Sequence, residues 1–250
     1  MFRQAWMTVL SVLLLTGASL AQNAPAIDPK ADEVLRKMSA FLASKPQFGF
    51  MVHDMLDHVA PDGQRISLGK QSKIKVRRPN RLAADVVGDV VNLVAAYNGK
   101  TFTILSRDSG DYAQADVPDT IDAALDKLVS DYGLVMASAD LVFADPYKAM
   151  TGNVRSGKYV GLHRVRGIPC HHLAFRQEMV DWQIWIADGD SPLPLKVVIT
   201  YKEQPGDPQY IALYDNWDMT AAYDDAAFEI TLPPNAKKID LKAAEKEAGN

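Results

Sequence analysis

The fold of this chain is decided by residues 161–201, which read GLHRVRGIPCHHLAFRQEMVDWQIWIADGDSPLPLKVVITY. Between residues 195 and 201 apolar side chains occupy the odd positions, which is the two-residue period of a half-buried β-strand. Trp182, Ile184 and Ile186 repeat this period in the preceding segment. The intervening Asp188-Gly189 pair favours the positive φ angles of a tight hairpin turn. The stretch predicts a β-meander, which we expect to form one wall of a β receptacle.

Short strands and tight turns also account for most of the remaining chain. Pro61-Asp62-Gly63 and Asn98-Gly99 are hairpin signals between segments of alternating hydrophobicity. With residues 228–232 taken as the last strand, the sequence predicts about ten strands. Consecutive hairpins favour a single antiparallel sheet.

Helical periodicity is confined to the N-terminal region and the middle of the chain. Asp28 is an expected N-cap, and Pro29 suits the first helical position. In the middle, Asp119 is the expected cap of a helix that ends at Gly133, and residues 138–150 form a second, Pro-interrupted helical segment. The sequence therefore predicts a mainly β (α+β) fold. A large curled antiparallel sheet forms a half-open β-barrel, with an N-terminal helix and a mid-chain helical insertion covering its concave face.

Composition and charge restrict the class of function. The chain has 250 residues, of which 48% are hydrophobic, and this is enough for one sizeable core. Its 27 Lys and Arg residues are outnumbered by 31 Asp and Glu residues, and there is no long basic run. Nucleic acid is therefore not an expected partner. We expect a single domain over residues 28–239 and a charged C-terminal tail at residues 240–250.

The N-terminus has the pattern of a secretory signal peptide. Arg3 precedes an apolar segment, and residues 19–21 (Ser-Leu-Ala) fit the pattern that signal peptidase cleaves. We expect the signal peptide to be residues 1–21, cut after Ala21, and residues 22–27 to be a linker. A membrane anchor that stays in place is the alternative, although the apolar segment is short for a membrane span.

The predicted strand at residues 64–78 carries the first candidates for ligand binding. Arg78 shares its parity with the apolar residues of this strand, so we expect Arg78 to point to the inner face at the strand's end. The helical insertion supplies further apolar candidates. Together, the candidate binding and gating residues are Arg78, Ile66, Leu68, Ile74, Val76, Leu141, Phe143 and Tyr147.

Several short segments resemble a known family. The sequences VRRPNRL at 76–82, AAYNGKTFTI at 95–104 and FEITLPPNA at 228–236 are similar to those of the periplasmic lipoprotein carriers of Gram-negative bacteria, the LolA/LolB-like superfamily. RGIPCHHLAF, DWQIWI and LPLKVVITY resemble a group of predicted periplasmic proteins within that superfamily.

The resemblance implies a fold and a role for one residue. It implies an open β-barrel whose apolar cavity is covered by an N-terminal helix and a helical insertion. In the carriers, an arginine followed by proline contacts this helical lid and helps to gate the cavity, and Arg78-Pro79 matches that pair. The carriers place an aromatic residue shortly after the proline, where this chain has Ala83, Ala84 and Asp85.

A cluster of Cys170, His171 and His172, with His163 nearby, suggests a different class of function. It could belong to a secreted hydrolase or to a metal-binding protein. Adjacent strand residues point to opposite faces, so His171 and His172 cannot both bind one metal ion, and we expect ordinary sheet histidines. Cys170 is the only cysteine, so an intramolecular disulfide is impossible.

The expected function is that of a periplasmic binding or carrier protein. It would hold the acyl chain of a lipid, a lipid-modified molecule or another apolar ligand in the half-barrel cavity. We expect a monomer without catalytic residues, metal or cofactor, which contacts the membrane or membrane proteins only transiently. A periplasmic interaction protein with a solid sheet interior is the third alternative.

Overall fold

The computed structural model describes residues 26–134, 136 and 138–241. The expected signal peptide at residues 1–21 and residues 242–250 of the expected tail lie outside this described part. The end of the expected linker extends the edge of the sheet, because the N–H of Gly157 donates to the Ala26 carbonyl at 2.9 Å. None of the described helices is long and apolar enough to cross a membrane.

The described residues form twelve β-strands in one curled sheet. In chain order the strands are β1 (Gln47–Val59), β2 (Arg65–Arg77), β3 (Arg81–Gly88), β4 (Asn92–Tyr97), β5 (Thr101–Ser106), β6 (Asp111–Asp116), β7 (Ser156–Val165), β8 (Ile168–Arg176), β9 (Val180–Ala187), β10 (Pro194–Tyr201), β11 (Gln209–Asp218) and β12 (Lys237–Lys238). Across the sheet their order is β12-β6-β5-β4-β3-β2-β1-β11-β10-β9-β8-β7. All neighbours pair antiparallel except β12 with β6. The predicted curled antiparallel sheet is confirmed.

The meander predicted from residues 161–201 is present as the second half of β7 and all of β8, β9 and β10. Leu173, Ile184 and Val197 lie side by side across β8, β9 and β10, and all three are buried. The meander continues into β11, which pairs with β1. This pairing joins the two halves of the chain in the middle of the sheet.

Helix α1 (Pro29–Ala43) begins where the sequence predicts. The Asp28 carboxylate accepts a hydrogen bond from the Lys30 N–H at 2.7 Å, and Pro29 occupies the first turn. The helix packs on β7 and β9 and on a second short helix, α3 (Pro146–Thr151). It buries Val34, Leu35, Met38 and Leu42.

Helix α2 (Ile121–Tyr132) is capped one residue later than predicted. Thr120, not Asp119, is the N-cap, and its hydroxyl accepts a hydrogen bond from the Ala123 N–H at 3.3 Å. Thr120 has the extended backbone that an N-cap requires, so its side chain reaches the free N–H groups of the first turn. Gly133 ends the helix in the left-handed conformation (φ 64°), as predicted.

The segment predicted as one Pro-interrupted helix consists of two short pieces. Ala139–Leu141 form a 3-10 turn, and α3 begins at Pro146. The Asp145 side chain caps α3 by accepting from the Lys148 N–H at 3.0 Å. Proline favours a helix start and disfavours the helical conformation in the residue before it, which explains the break.

The prediction of a strand at residues 228–232 is wrong. Asp225–Phe228 form a 3-10 turn on the outer surface of the sheet. The Phe228 ring is buried there, and the Arg77 guanidinium lies over it, 5.1 Å from the centroid of the ring. An Arg77–Asp225 ion pair holds the same turn. Two prolines follow at 233 and 234, and proline has no N–H for a sheet hydrogen bond. The chain rejoins the sheet only at β12.

The two halves of the sheet are covered differently on the concave face. Over the meander, α1 and the strands form a solid core that includes Met38 and Ile184. The Phe175 ring stacks on Trp182 there, with 4.1 Å between centroids. Over β1 to β5 the cover is α2 and the chain that follows it, and a cavity remains beneath them.

Gly157→Ala tests the solid half. A Cβ at this position would lie 2.7 Å from two atoms of the buried Phe175 ring and 3.0 Å from Ile27. We expect the free energy of unfolding to fall by about 1–3 kcal/mol, because a packed core resists an added methyl group. Thermal and urea unfolding followed by circular dichroism measure the change.

Gly152→Ala is the matched control, since its added Cβ would meet only the Lys148 carbonyl, at 3.4 Å. Its unfolding free energy should change by no more than about 0.5 kcal/mol. Equal stability of the two variants would contradict tight packing at Gly157.

Candidate ligand-binding cavity

Strands β1 to β5 and helix α2 surround a half-open cavity of about 610 Å³. This volume lies within the range of about 300–1,000 Å³ that small-molecule sites occupy. The walls are mostly apolar, and representative wall residues are Phe50, Ile74, Ala84, Ala95, Phe102 and Ile104. Each comes from the concave face of its strand, so the alternation of the strands determines the lining.

The cavity runs along β1 from a deep end to a mouth. Phe50 is buried at the deep end, and Leu56 lines the mouth with 46% of its surface exposed. Leu56 follows Phe50 by six steps along the strand, which corresponds to a length of about 20 Å. Two more apolar side chains surround the mouth, Leu68 (36% exposed) and Val90 (76% exposed). The opening therefore presents an apolar rim to solvent.

The cover consists of α2 and the connector, by which we mean the described residues from 133 to 142. Leu125 of α2 and Leu134, Met136 and Val142 of the connector face the cavity. Ser138 anchors the connector to the sheet, because its hydroxyl hydrogen-bonds with the Tyr214 hydroxyl and lies 3.4 Å from that of Tyr210. Burial raises the pKa of both tyrosines, so both phenols stay protonated.

Arg78 joins the end of β2 to this cover. Its Nη1 donates to the Val142 carbonyl at 2.7 Å, where Val142 ends the 3-10 turn of the connector. The guanidinium also lies over the Phe48 ring, 5.7 Å from its centroid. Among the described residues, its Nε and Nη2 have no hydrogen-bond partner. Burial lowers the pKa of Arg78, and the charge of Asp122 opposes this shift.

The other sequence candidates lie in different places, and two of them line the cavity. Leu68 and Ile74 line the cavity. Val76 and Leu141 are buried in the core, Phe143 packs against it, and Ile66 is exposed beyond the mouth.

Tyr147 lies away from the cavity and connects α3 to α1. Its hydroxyl donates to Asp32, and the Arg36 Nη2 donates to that hydroxyl at 2.7 Å. Tyr147 therefore connects the two helices and is not among the residues that line the cavity.

Three polar cavity residues were missed by sequence reasoning. Asp54, Lys70 and Ser72 line the cavity, and the Lys70 Nζ lies 3.1 Å from Asp54 Oδ2. Asp54 shares its parity with Phe50, Val52 and Leu56, so a charged residue within an apolar stripe was the available signal.

A second, polar groove of about 400 Å³ lies on the outer face of β2 to β5, beside the C-terminal segment. Lys73, Lys75 and Ala83 line it. Arg107 donates two hydrogen bonds to Asp85 in this groove, at 2.7 and 2.9 Å. These bonds lower the pKa of Asp85. The charges of this groove are therefore partly paired within the protein.

The histidine cluster does not converge on one point. His171 hydrogen-bonds with Tyr159 (2.9 Å) and Asp188 (3.1 Å). His172 instead hydrogen-bonds with His163, at 2.9 Å between the two Nδ1 atoms. The two adjacent histidines thus have separate partners, as the strand alternation predicts.

His172 lies on the outer face of the sheet. Its ring stacks on Trp185 with centroids 3.9 Å apart, and its Nε2 lies 3.0 Å from the Gln183 side-chain oxygen. Burial lowers the pKa of His172, the hydrogen bond with Gln183 opposes this shift, and the charges of His163 and Lys196 add to it.

Cys170 is buried, and its Sγ donates to the Ile168 carbonyl at 3.3 Å. Burial raises the pKa of this thiol, whereas a nucleophilic cysteine needs a lowered one. In the described part of the chain, no group of three or more His, Cys, Asp or Glu residues is arranged to hold a metal ion.

Three solved structures of bacterial proteins align with most of this chain. A conserved protein of Thermus thermophilus matches with a TM-score of 0.51 at 8% identity, over 84% of this chain and 99% of that chain. The lipoprotein LppX of Mycobacterium tuberculosis gives a TM-score of 0.49 at 14% identity, over 79% of this chain and 100% of that chain. A LolA superfamily protein of Nitrosomonas europaea gives a TM-score of 0.43 at 9% identity, over 80% of this chain and 97% of that chain. At 8% identity, the similarity to the Thermus thermophilus protein concerns the fold alone.

Comparison with curated protein sequences gives no match. Comparison with family models gives one: the model described as "Predicted periplasmic protein (DUF2092)" matches residues 31–242 of this chain. This range contains all of α1 except its first two residues, the whole sheet and the connector. The chain therefore belongs to the DUF2092 family of predicted periplasmic proteins, which confirms the resemblance of its sequence to a group of predicted periplasmic proteins.

Proposed function

We propose that this protein binds the acyl chain of a lipid, or a similar apolar ligand, in the cavity between its sheet and α2. The cavity itself carries this proposal. It is about 610 Å³ in volume, has mostly apolar walls, and opens at a mouth with apolar side chains. Over the meander half of the same sheet, by contrast, α1 packs on the strands with buried apolar side chains. The lipoprotein carriers that the sequence resembles also have an apolar cavity under a helical lid.

The energetics favour a chain-like ligand. Each methylene group removed from water contributes about 0.8 kcal/mol, so ten methylenes would contribute about 8 kcal/mol before the costs of association. A cavity about 20 Å long, measured along β1, suits an extended chain better than a compact molecule. An apolar wall needs no precise polar geometry to provide this binding energy.

The proposed place of action is the periplasm. The family description supports it, and so does the signal-peptide pattern with its expected cut after Ala21. One chain supplies both the walls and the cover of the cavity, so a monomer suffices for binding. The apolar rim would allow transient contact with a membrane or membrane protein when the ligand is exchanged.

A binding function is better supported than the two alternatives. A hydrolase or metal protein would use the histidine cluster, yet His172 lies on the outer face and the Cys170 thiol is buried. An interaction protein with a solid interior is disfavoured by the cavity under α2.

Within this proposal Arg78 acts as a gate. Its hydrogen bond to Val142 holds the connector against β2, and Val142 lines the cavity. A ligand chain that reaches the deep end would press against the connector and compete with this bond. The buried guanidinium has two nitrogen atoms without partners among the described residues, so it is poorly satisfied in this arrangement.

Ala84→Phe tests the cavity. Ala84 lines it from β3, so a phenyl ring there should fill space that the ligand needs. We expect binding of a pyrene-labelled alkane to weaken about tenfold or more, because several methylenes lose their buried site. A fluorescence titration of the full chain measures the affinity.

Ala83→Phe is the matched control, because Ala83 lines the outer groove on the opposite face. Its affinity should equal that of the wild type. Equal weakening in both variants, or none in Ala84→Phe, would contradict a ligand site in the cavity.

Arg78→Leu tests the gate. Leucine removes the bond that favours the closed connector and adds apolar surface near the deep end. A hydrogen bond to a charged group contributes about 1.5–3 kcal/mol, so we expect alkane affinity to rise about tenfold. Arg78→Lys, which keeps a charged donor, should resemble the wild type. Unchanged affinity and release rate in a folded Arg78→Leu variant would refute the gating role.

A further inference from the structure

Asp54 is a charged residue in the wall of the apolar cavity. It lies on β1 between Val52 and Leu56, on the concave face, and only 4% of its surface is exposed. Successive residues on one strand face are about 7 Å apart, so Asp54 lies one step inside the mouth. A carboxylate at such a depth needs partners, because burying an unpaired charge is costly.

Only one of the two carboxylate oxygens is satisfied. Asp54 Oδ2 lies 3.1 Å from the Nζ of Lys70, its cross-strand partner on β2. Oδ1 is buried and has no hydrogen-bond partner among the described residues. The Tyr210 hydroxyl lies 3.4 Å from the Ser138 hydroxyl and is near enough to the Asp54 carboxylate to contribute to the raised pKa of Tyr210, but it makes no direct hydrogen bond with Oδ1. Asp54, a residue of the cavity wall, therefore has one acceptor oxygen that lacks a direct hydrogen bond among the described residues.

We propose that Asp54 Oδ1 accepts a hydrogen bond from the bound ligand, and that the ligand is an amphiphile with a neutral or cationic donor. A hydroxyl, an amide N–H or an amine would serve, placed near the mouth end of an apolar chain. This inference rests on the proposed function and specifies the ligand further.

The position of Asp54 sets the orientation of such a ligand. The donor group lies one strand step below the rim, and the chain extends past Val52 towards Phe50. The reverse orientation would place the donor beside apolar walls and leave Oδ1 unpaired. A ligand carboxylate beside Asp54 would be repelled, and Lys70 already has a carboxylate partner. Neutral donors are therefore preferred over fatty acids.

The test compares ligands that differ only in the donor. The full chain is loaded with a pyrene-labelled alkane, which has no hydrogen-bonding group, and the probe is displaced by decan-1-ol, 1-methoxydecane or decanoic acid. We expect the alcohol to bind about tenfold more tightly than its methyl ether, since only the alcohol donates to a charged acceptor. The acid should bind more weakly than the alcohol.

Three variants connect the preference to Asp54. Asp54→Asn keeps the shape but can also donate to an ether oxygen, so the ratio of alcohol to ether affinity should fall towards one. Asp54→Val continues the apolar stripe and should abolish the preference while keeping ether affinity. Asp57→Asn is the control, since Asp57 lies on the other face of β1 and hydrogen-bonds with Ser67. The ratio of alcohol to ether affinity in Asp57→Asn should match that of the wild type.

Each outcome has a defined meaning. Failure of the wild type to bind the alkane probe would overturn the proposed function and this inference with it. A bound probe that alcohol and ether displace equally well from the wild type would overturn only the role of Asp54. Tighter binding of the acid would place the head group on Lys70 and also overturn it. The comparison of alcohol with ether in the wild type tests the role of Asp54 even if an Asp54 variant does not fold.

Discussion

The structure depends on one constraint: a single continuous sheet exposes a concave face that must be covered. The β1–β11 pairing joins both halves of the chain into that sheet, so neither half can close into a core of its own. In the described part of the chain, α1 covers the meander half tightly, whereas α2 and the connector cover the other half loosely. The cavity is the space that this unequal cover leaves.

Much of the fold could be predicted from the sequence, because its signals are local. The alternation in residues 195–201, the Asn98-Gly99 turn and the Asp28-Pro29 start each act within a few residues. The failures concern competing local signals. Asp119 and Thr120 both fit an N-cap, and only the backbone selects Thr120. Residues 228–232 have strand-like composition, but Phe228 is anchored to the outer face by contacts with Arg77.

The site was less predictable, because depth in a cavity depends on the tertiary structure. Parity put Ile74 and Val76 on the same face, yet Ile74 lines the cavity and Val76 is buried in the core. The inward direction of Arg78 also followed from parity, but its partner Val142 is remote in sequence. Asp54 was overlooked because strand patterns weight apolar residues, although a lone acidic residue in an apolar stripe is itself informative.

Native mass spectrometry of the protein purified from a bacterial periplasm tests the central claim most directly. The account predicts that each chain carries one amphiphile, or takes one up from a solubilised lipid extract, and that organic solvent releases it. The released molecule should combine an apolar chain with a hydrogen-bond donor. A folded chain that stays free of ligand in saturating lipid extract would contradict the account.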